Sequence, residues 1–251
     1  MMFHGVRYTG VREYEDLVTE TQHAAIRAAL VRGFDGIVDD TWLNDRRVSE
    51  IRALADEVGA GFEVWDMRDV PPEPSTGRQA CRDRSGSLLP DSLPRCEGHG
   101  HAGRREERGM SRLIITRGLA GCGKTTRALR WAAGDPSRVR VNRDDLRMMF
   151  HGVRYTGVRE CEDLVTDTQH AAIRAALVRG FDGIADDTWL NDRRVSEIRA
   201  LAGDVGADFE VWDMRDVPPK VCIERDKGRG SLVGAKAINE MYERYLKSRP
   251  A

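Results

Sequence analysis

Cysteine, aromatic residues and net charge are all scarce in this sequence, and each scarcity removes a class of protein. The five cysteines, at 81, 96, 122, 161 and 222, are odd in number and irregularly spaced, which excludes a disulfide framework and points to a reducing, cytoplasmic setting. Forty Lys and Arg face 41 Asp and Glu, for a net charge of -1. No one-signed field surrounds such a chain, so any site for a polyanion must be a local patch. Long apolar runs are missing too: none nears the about 20 residues of a membrane helix. The first residues also lack the basic-then-apolar order of a secretory signal, so the expectation is a soluble chain without membrane association.

What the sequence does contain is a copy of itself. Residues 1 to 72 align without a gap to 148 to 219 at a constant offset of 147. The pairs that differ are Tyr14/Cys161, Glu20/Asp167, Val38/Ala185, Asp56/Gly203, Glu57/Asp204 and Gly61/Asp208. Two near-identical copies are not a solenoid, whose units diverge and stack in series. Between them, residues 73 to 109 hold no Phe, Trp or Tyr and are rich in Gly, Pro, Ser and interleaved charge. That composition cannot offset its own ordering entropy and predicts a flexible linker. Cys96, His99 and His101 within it lack the four-ligand spacing of structural zinc.

From Met110 onward short strands alternate with amphipathic helices. SRLIITRG, RVRVN, GIADD and DFEVWDM read as four strands. A helix over Glu160 to Arg179 is expected to bury Leu164, Ala171, Ala175 and Val178. A second, after Asn191, should bury Val195, Ile198, Ala202 and Val205 and stop at Gly206. This alternation predicts an α/β fold with a small parallel sheet flanked by helices.

GLAGCGKTT, residues 118 to 126, matches G-x-x-x-x-G-K-[ST] between a predicted strand and a predicted helix, the setting that a phosphate-binding loop requires. Gly118, Gly121 and Gly123 allow the backbone N–H groups to turn inward, and the helix adds its positive end. Lys124 is placed to neutralise the β and γ phosphates of ATP, and the Thr125 hydroxyl to ligate Mg2+. Thr126 and the small Cys122 complete the loop.

The loop specifies a nucleotide and leaves the acceptor open. VNRDDLR, residues 141 to 147, follows the second strand, where open α/β sheets keep their sites. Asp144 or Asp145 could take a proton from an acceptor hydroxyl, and Asp144 is preferred; a helix-capping role for Asp144 competes with that reading. DDTWLN, residues 186 to 191, ends the third strand with Asp186 and Asp187, candidates for the second metal partner. ERDKGRG places Arg225 and Arg229 where a closing segment could carry them to the transferring phosphate.

Together, GLAGCGKTT, NRDDLR, DDTWLNDRR and R-x-x-x-R-G at 225 to 230, with the terminal AINEMYERYL segment, resemble the kinase domain of the bacteriophage polynucleotide 5'-hydroxyl kinase family over residues 110 to 247. The resemblance implies a P-loop kinase fold and transfer of the ATP γ-phosphate, with Mg2+, to the 5'-hydroxyl of a DNA or RNA end. It further implies that Lys124 and Thr125 hold phosphate and metal, that Asp144 is the general base and that Arg147 holds the acceptor strand's phosphate. Asp187 is then the strand-end carboxylate and Arg229 the lid arginine. No DxDGT-like phosphatase motif occurs, so no 3'-end repair is expected. Arg143, Arg147, Arg154 and Arg159 are expected to line a groove for the strand. Other acceptors, a small molecule or a nucleotide sugar, fit the same loop and base, as does an idle nucleotide-binding interaction module.

The expected organisation is a truncated, non-catalytic duplicate over 1–72, a linker over 73–109 and a complete kinase domain over 110–251. The first copy lacks the loop, the base and the lid arginines, so it has no donor site, and removing 1–109 should leave activity intact. Either copy could pack on the 110–147 half; the directly connected second copy is expected to prevail.

Overall fold

The computed structural model describes residues 12–38, 45–64, 110–230 and 232–247. The linker expected over 73–109, with Cys96, His99 and His101, lies outside them, as does the opening MMFHGVRYTGV of the first copy. The chain divides into two compact units, one built from 1–41 and 101–251 and the other from 42–100.

The first unit runs α1 (Arg12–Val31), β1 (Arg112–Arg117), α3 (Lys124–Ala133), β2 (Arg138–Val141), α4 (Arg143–His151), α5 (Arg159–Val178), β3 (Asp182–Ala185), α6 (Asp192–Asp204), β4 (Asp208–Asp213), α7 (Pro219–Gly228) and α8 (Ala235–Tyr245). The second unit contributes α2 (Asp45–Val58), which carries an Arg46–Glu50 pair one turn apart.

All the strands pair in parallel, in the order β2-β3-β1-β4. This is the α/β architecture with a small parallel sheet that the alternation of elements predicts. Parallel strands buried on both faces read as continuous apolar runs, and Leu113, Ile114 and Ile115 of β1 are all buried. Alternation along the strand then splits them. Leu113 and Ile115 join Val139, Val141, Val165, Ile173 and Ile198 in the main core, while Ile114 and Ile184 pack with Ala128 of α3 on the opposite face.

α5 differs from its expected face. Leu164 and Ala175 are buried, but Val178 is 68% exposed and Ala171 only half-buried. The buried set is instead Leu164, Val165, Thr168, Gln169, Ala172, Ile173 and Ala175 to Leu177. An arc this wide belongs to a helix covered on two sides, by the sheet and by α1, which a single-stripe reading cannot anticipate. On α6, Val195, Ile198 and Ala202 are buried as expected, and Gly206 follows its end with φ 71.

The duplicated segments show how far context decides strand formation. DGIA forms β3 at 182–185, whereas DGIV at 35–38 forms no strand. Ile184 is 0% exposed and its counterpart Ile37 80%. Only the second copy has β1 and β2 on either side to take up its backbone hydrogen bonds.

Candidate active site

The loop between β1 and α3 is shaped by positive-φ glycines. Gly121 has φ 85 and Gly123, the residue before α3, φ 108 in the left-handed region. A Cβ on Gly118 would lie 2.7 Å from Cys122 Sγ and 2.8 Å from the Met214 carbonyl oxygen. A Cβ on Gly121 would collide with the Cys222 carbonyl oxygen, and at Gly123 the left-handed φ itself disfavours a side chain. No side chain caps the N-terminus of α3 and no acidic residue occupies its first turn, so its leading N–H groups and positive end suit an anion. Lys124 is buried and donates to the carbonyls of Gly118 at 3.0 Å and Leu119 at 2.7 Å, with Cys122 Sγ at 3.6 Å. Thr125 and Thr126 are exposed. Cys122 is buried against Leu119, Leu190, Cys222 and Ile238, which makes it a packing residue.

The strand-end carboxylates diverge. Asp186 is 1% exposed and accepts from Thr125 Oγ1 at 3.4 Å and from Arg140 Nε at 2.9 Å. Asp187 turns toward the helices, accepting from the Gln169 side-chain amide and, at 3.4 Å, from the backbone N–H of Arg143. Burial pushes its carboxyl up to about 7, against the opposing pull of Arg143 and Gln169. Thr125 thus meets Asp186, while Asp187 faces α4 and α5. Sequence alone could not rank these neighbours, because which of two adjacent side chains faces the loop depends on where the strand ends.

Arg117, buried at the end of β1, donates to the Trp189 carbonyl at 2.8 Å and to Asp192 at 2.7 Å. Thr116 Oγ1 donates to the Asp187 carbonyl and the Gly118 N–H to that of Thr188. These bonds strap the DDTWLN segment to the phosphate loop, and Trp189 holds φ 42 within it.

On α4 the capping question is decided. Asn142 is the N-cap, its side chain accepting from the Asp145 N–H, so Asp144 sits inside the first turn and is free of that duty. The Asp144 side chain is 51% exposed and accepts from Arg147 Nη1 at 2.6 Å. Arg147 in turn grips Glu162 of α5 through Nε at 2.8 Å and Nη2 at 2.7 Å. Glu162 also accepts from Arg143 at 3.0 Å, and Arg143 reaches Thr166 Oγ1 at 2.8 Å. Arg143 is therefore internal and does not line the groove expected of it; Arg154 and Arg159 are exposed. Glu162 is the residue that sequence reading missed. Its spacing from Arg147 gives no helical contact, and only the packing of α4 on α5 brings them together.

Arg225 on α7 donates to the Cys122 carbonyl at 3.0 Å, which places it on the phosphate loop. Arg229, at the end of α7, is bound to Asp226 at 3.0 Å. Asp226 is buried and also accepts from the N–H groups of Val233 and Gly234, tying the end of α7 to the start of α8.

A glycine-turned loop, a buried lysine beneath an uncapped helix and a strand-end carboxylate meeting the loop threonine lie at the carboxyl ends of a parallel sheet. The family model described as the AAA domain matches residues 113–247. This chain belongs to that family. The AAA domain thus spans β1 to the end of α8 and includes every site residue above. Among solved structures, a chain of the Pnkp1/Rnl/Hen1 RNA repair complex is similar with a TM-score of 0.50 and 24% identity, over 57% of this chain and 47% of that one. A chain from a Pnkp1/Rnl/Hen1 complex gives 0.44 and 27%, over 47% and 40%. This chain therefore spans about half the length of the solved chains it matches. The AAA domain here has the P-loop kinase fold, a small parallel sheet flanked by helices. Among the described residues no helix is long and apolar enough to cross a membrane.

Proposed function

We propose that the AAA domain transfers the γ-phosphate of ATP to the 5'-hydroxyl of a DNA or RNA end. The observation that carries this reading is Asp144, half-exposed, uninvolved in capping and held by an arginine that Glu162 fixes in place. A positioned carboxylate open to solvent, in a site where a strand-end acid, Asp186, touches the phosphate loop, is what a hydroxyl acceptor needs. An RNA repair complex is also the setting of the solved relative named above.

In this reading Asp144 accepts the proton of the 5'-hydroxyl as its oxygen attacks the γ-phosphorus, and the bond to the bridging oxygen of the leaving diphosphate breaks. Arg147 holds the carboxylate in line and offers the acceptor's phosphate a positive face. Lys124 exchanges its carbonyl partners for phosphate oxygens. Arg225 and Arg229 meet the donor phosphates from α7. Thr125 with Asp186 forms a hard-oxygen pair that fits Mg2+, which takes one or two carboxylates and completes its shell with phosphates and water, and Asp187 would join it by turning from Gln169. When bound, the ion would neutralise charge on the transferring phosphate.

One observation favours a smaller acceptor within the same chemistry. With Arg143 internal and Arg147 committed to Glu162, only Arg154 and Arg159 of the four arginines expected to line a groove are left exposed to track a strand. Transfer rates to 5'-hydroxyl DNA, 5'-hydroxyl RNA, nucleosides and sugars, measured on the full chain, separate the two. The proposal expects kcat/KM for an oligonucleotide at least about 100-fold above any nucleoside or sugar; the reverse order would assign the small acceptor.

A further inference from the structure

α1 of the first copy lies on α5, its own duplicate in the second, and the contacts are reciprocal. Arg32 donates to Asp167, through Nε at 3.1 Å. Arg179 donates to Glu20, through Nε at 2.6 Å. Under the offset of 147, Arg32 corresponds to Arg179 and Glu20 to Asp167, so the second pair is the first with the copies exchanged. The end of α1 meets the first half of α5, and Tyr14 at the start of α1 packs its ring, tilted by 56°, against Phe181 just beyond α5, with ring centroids 5.4 Å apart. The helices therefore run antiparallel about a local twofold axis.

The buried stripe repeats as well. α1 buries Tyr14, Leu17, Thr21 and Ala25, and the counterparts Leu164, Thr168 and Ala172 are buried on α5. The hydroxyls of Thr21 and Thr168 are both buried without a hydrogen-bond partner, the same mark at the same position of each copy.

A surface that binds its own duplicate through pairs i–j and j–i is self-complementary, the defining property of an isologous interface. We infer that the outer face of α5 is a self-docking surface, that α1 occupies it within the chain, and that a second copy of this chain takes α1's place when α1 is displaced. The substitute contact would be α5 on α5, with two Arg179–Asp167 pairs across the axis.

Two things keep the contact internal in the unaltered chain. The connection between the copies holds α1 near α5 at an effective concentration on the order of millimolar. Tyr14 also gives Phe181 an aromatic partner that the α5–α5 contact lacks, because Cys161 stands at that position.

The test uses the full chain and sedimentation velocity over a range from micromolar to several hundred micromolar. Unaltered protein is expected to sediment as a monomer. Leu17→Glu with Arg32→Glu places charge on α1 alone and should yield a concentration-dependent dimer. Adding Arg179→Glu, which sets like charges against Asp167 of the second chain, should return it to monomer. Glu20→Ala with Arg32→Ala alters only solvent-accessible side chains, so it keeps the fold, and should raise the association constant several-fold over the unaltered chain. Monomers throughout for both double variants, or a dimer indifferent to Arg179→Glu, would overturn the inference.

Discussion

Asp144→Asn is expected to slow phosphate transfer about 10²- to 10⁴-fold while leaving the KM for ATP within about twofold of the parent. Asparagine matches aspartate in size and can still accept from Arg147, which donates at 2.6 Å, so what is lost is the capacity to take a proton. Helix stability does not confound the result, because Asn142 rather than Asp144 caps α4, and the unfolding midpoint should stay within about 2 °C. Steady-state kinetics with varied acceptor and varied ATP measure both effects. A variant as fast as the parent would exclude Asp144 as the base.

Glu162→Ala should have the largest effect on stability of any substitution near the site. Glu162 accepts from Arg147 twice and from Arg143 once, and both arginine side chains are largely withdrawn from solvent. Removing the carboxylate leaves two buried guanidinium groups short of a countercharge, a loss of about 3–5 kcal/mol when a buried pair is broken from one side. Arg147 would also lose the grip that directs it at Asp144, so kcat should fall with stability. Urea unfolding at pH 7 reads the first effect, and transfer rates at a temperature where the variant is folded read the second.

Acid sensitivity has the same origin. Burial alone would raise the Glu162 carboxyl, but the hydrogen bonds and charges of Arg147 and Arg143 outweigh it and hold the group below its ordinary value of 4.5. A depressed carboxylate contributes its full stability above the unfolded value and loses it as pH falls through the folded one. Stability should therefore drop as pH falls below about 4.5, with a shallower slope in Glu162→Gln.

The phosphate loop was legible in the sequence because its chemistry is local: three glycines, a lysine and a threonine at fixed spacing between a strand and a helix. The four strands and their parallel pairing followed from alternation for the same reason. What escaped depends on contacts between elements. Glu162 looks like an ordinary charged helical residue until α4 packs on α5 and Arg147 and Arg143 close on it. Asp186 and Asp187 are indistinguishable as letters, and only the strand end turns the first toward Thr125. Val178 reads as a buried position of a one-faced helix, whereas α5 is covered on two sides and rotates it to solvent. The duplicate is the clearest instance, since DGIV at 35–38 and DGIA at 182–185 differ by one residue and only the latter forms a strand.

The most direct measurement follows labelled γ-phosphate from ATP, with Mg2+, to an oligonucleotide bearing a free 5'-hydroxyl and to the same oligonucleotide already 5'-phosphorylated, using the full chain. Label on the 5' oxygen of the first and none on the second is the expected result. ATP bound but no label on 5'-hydroxyl DNA or RNA would contradict the account.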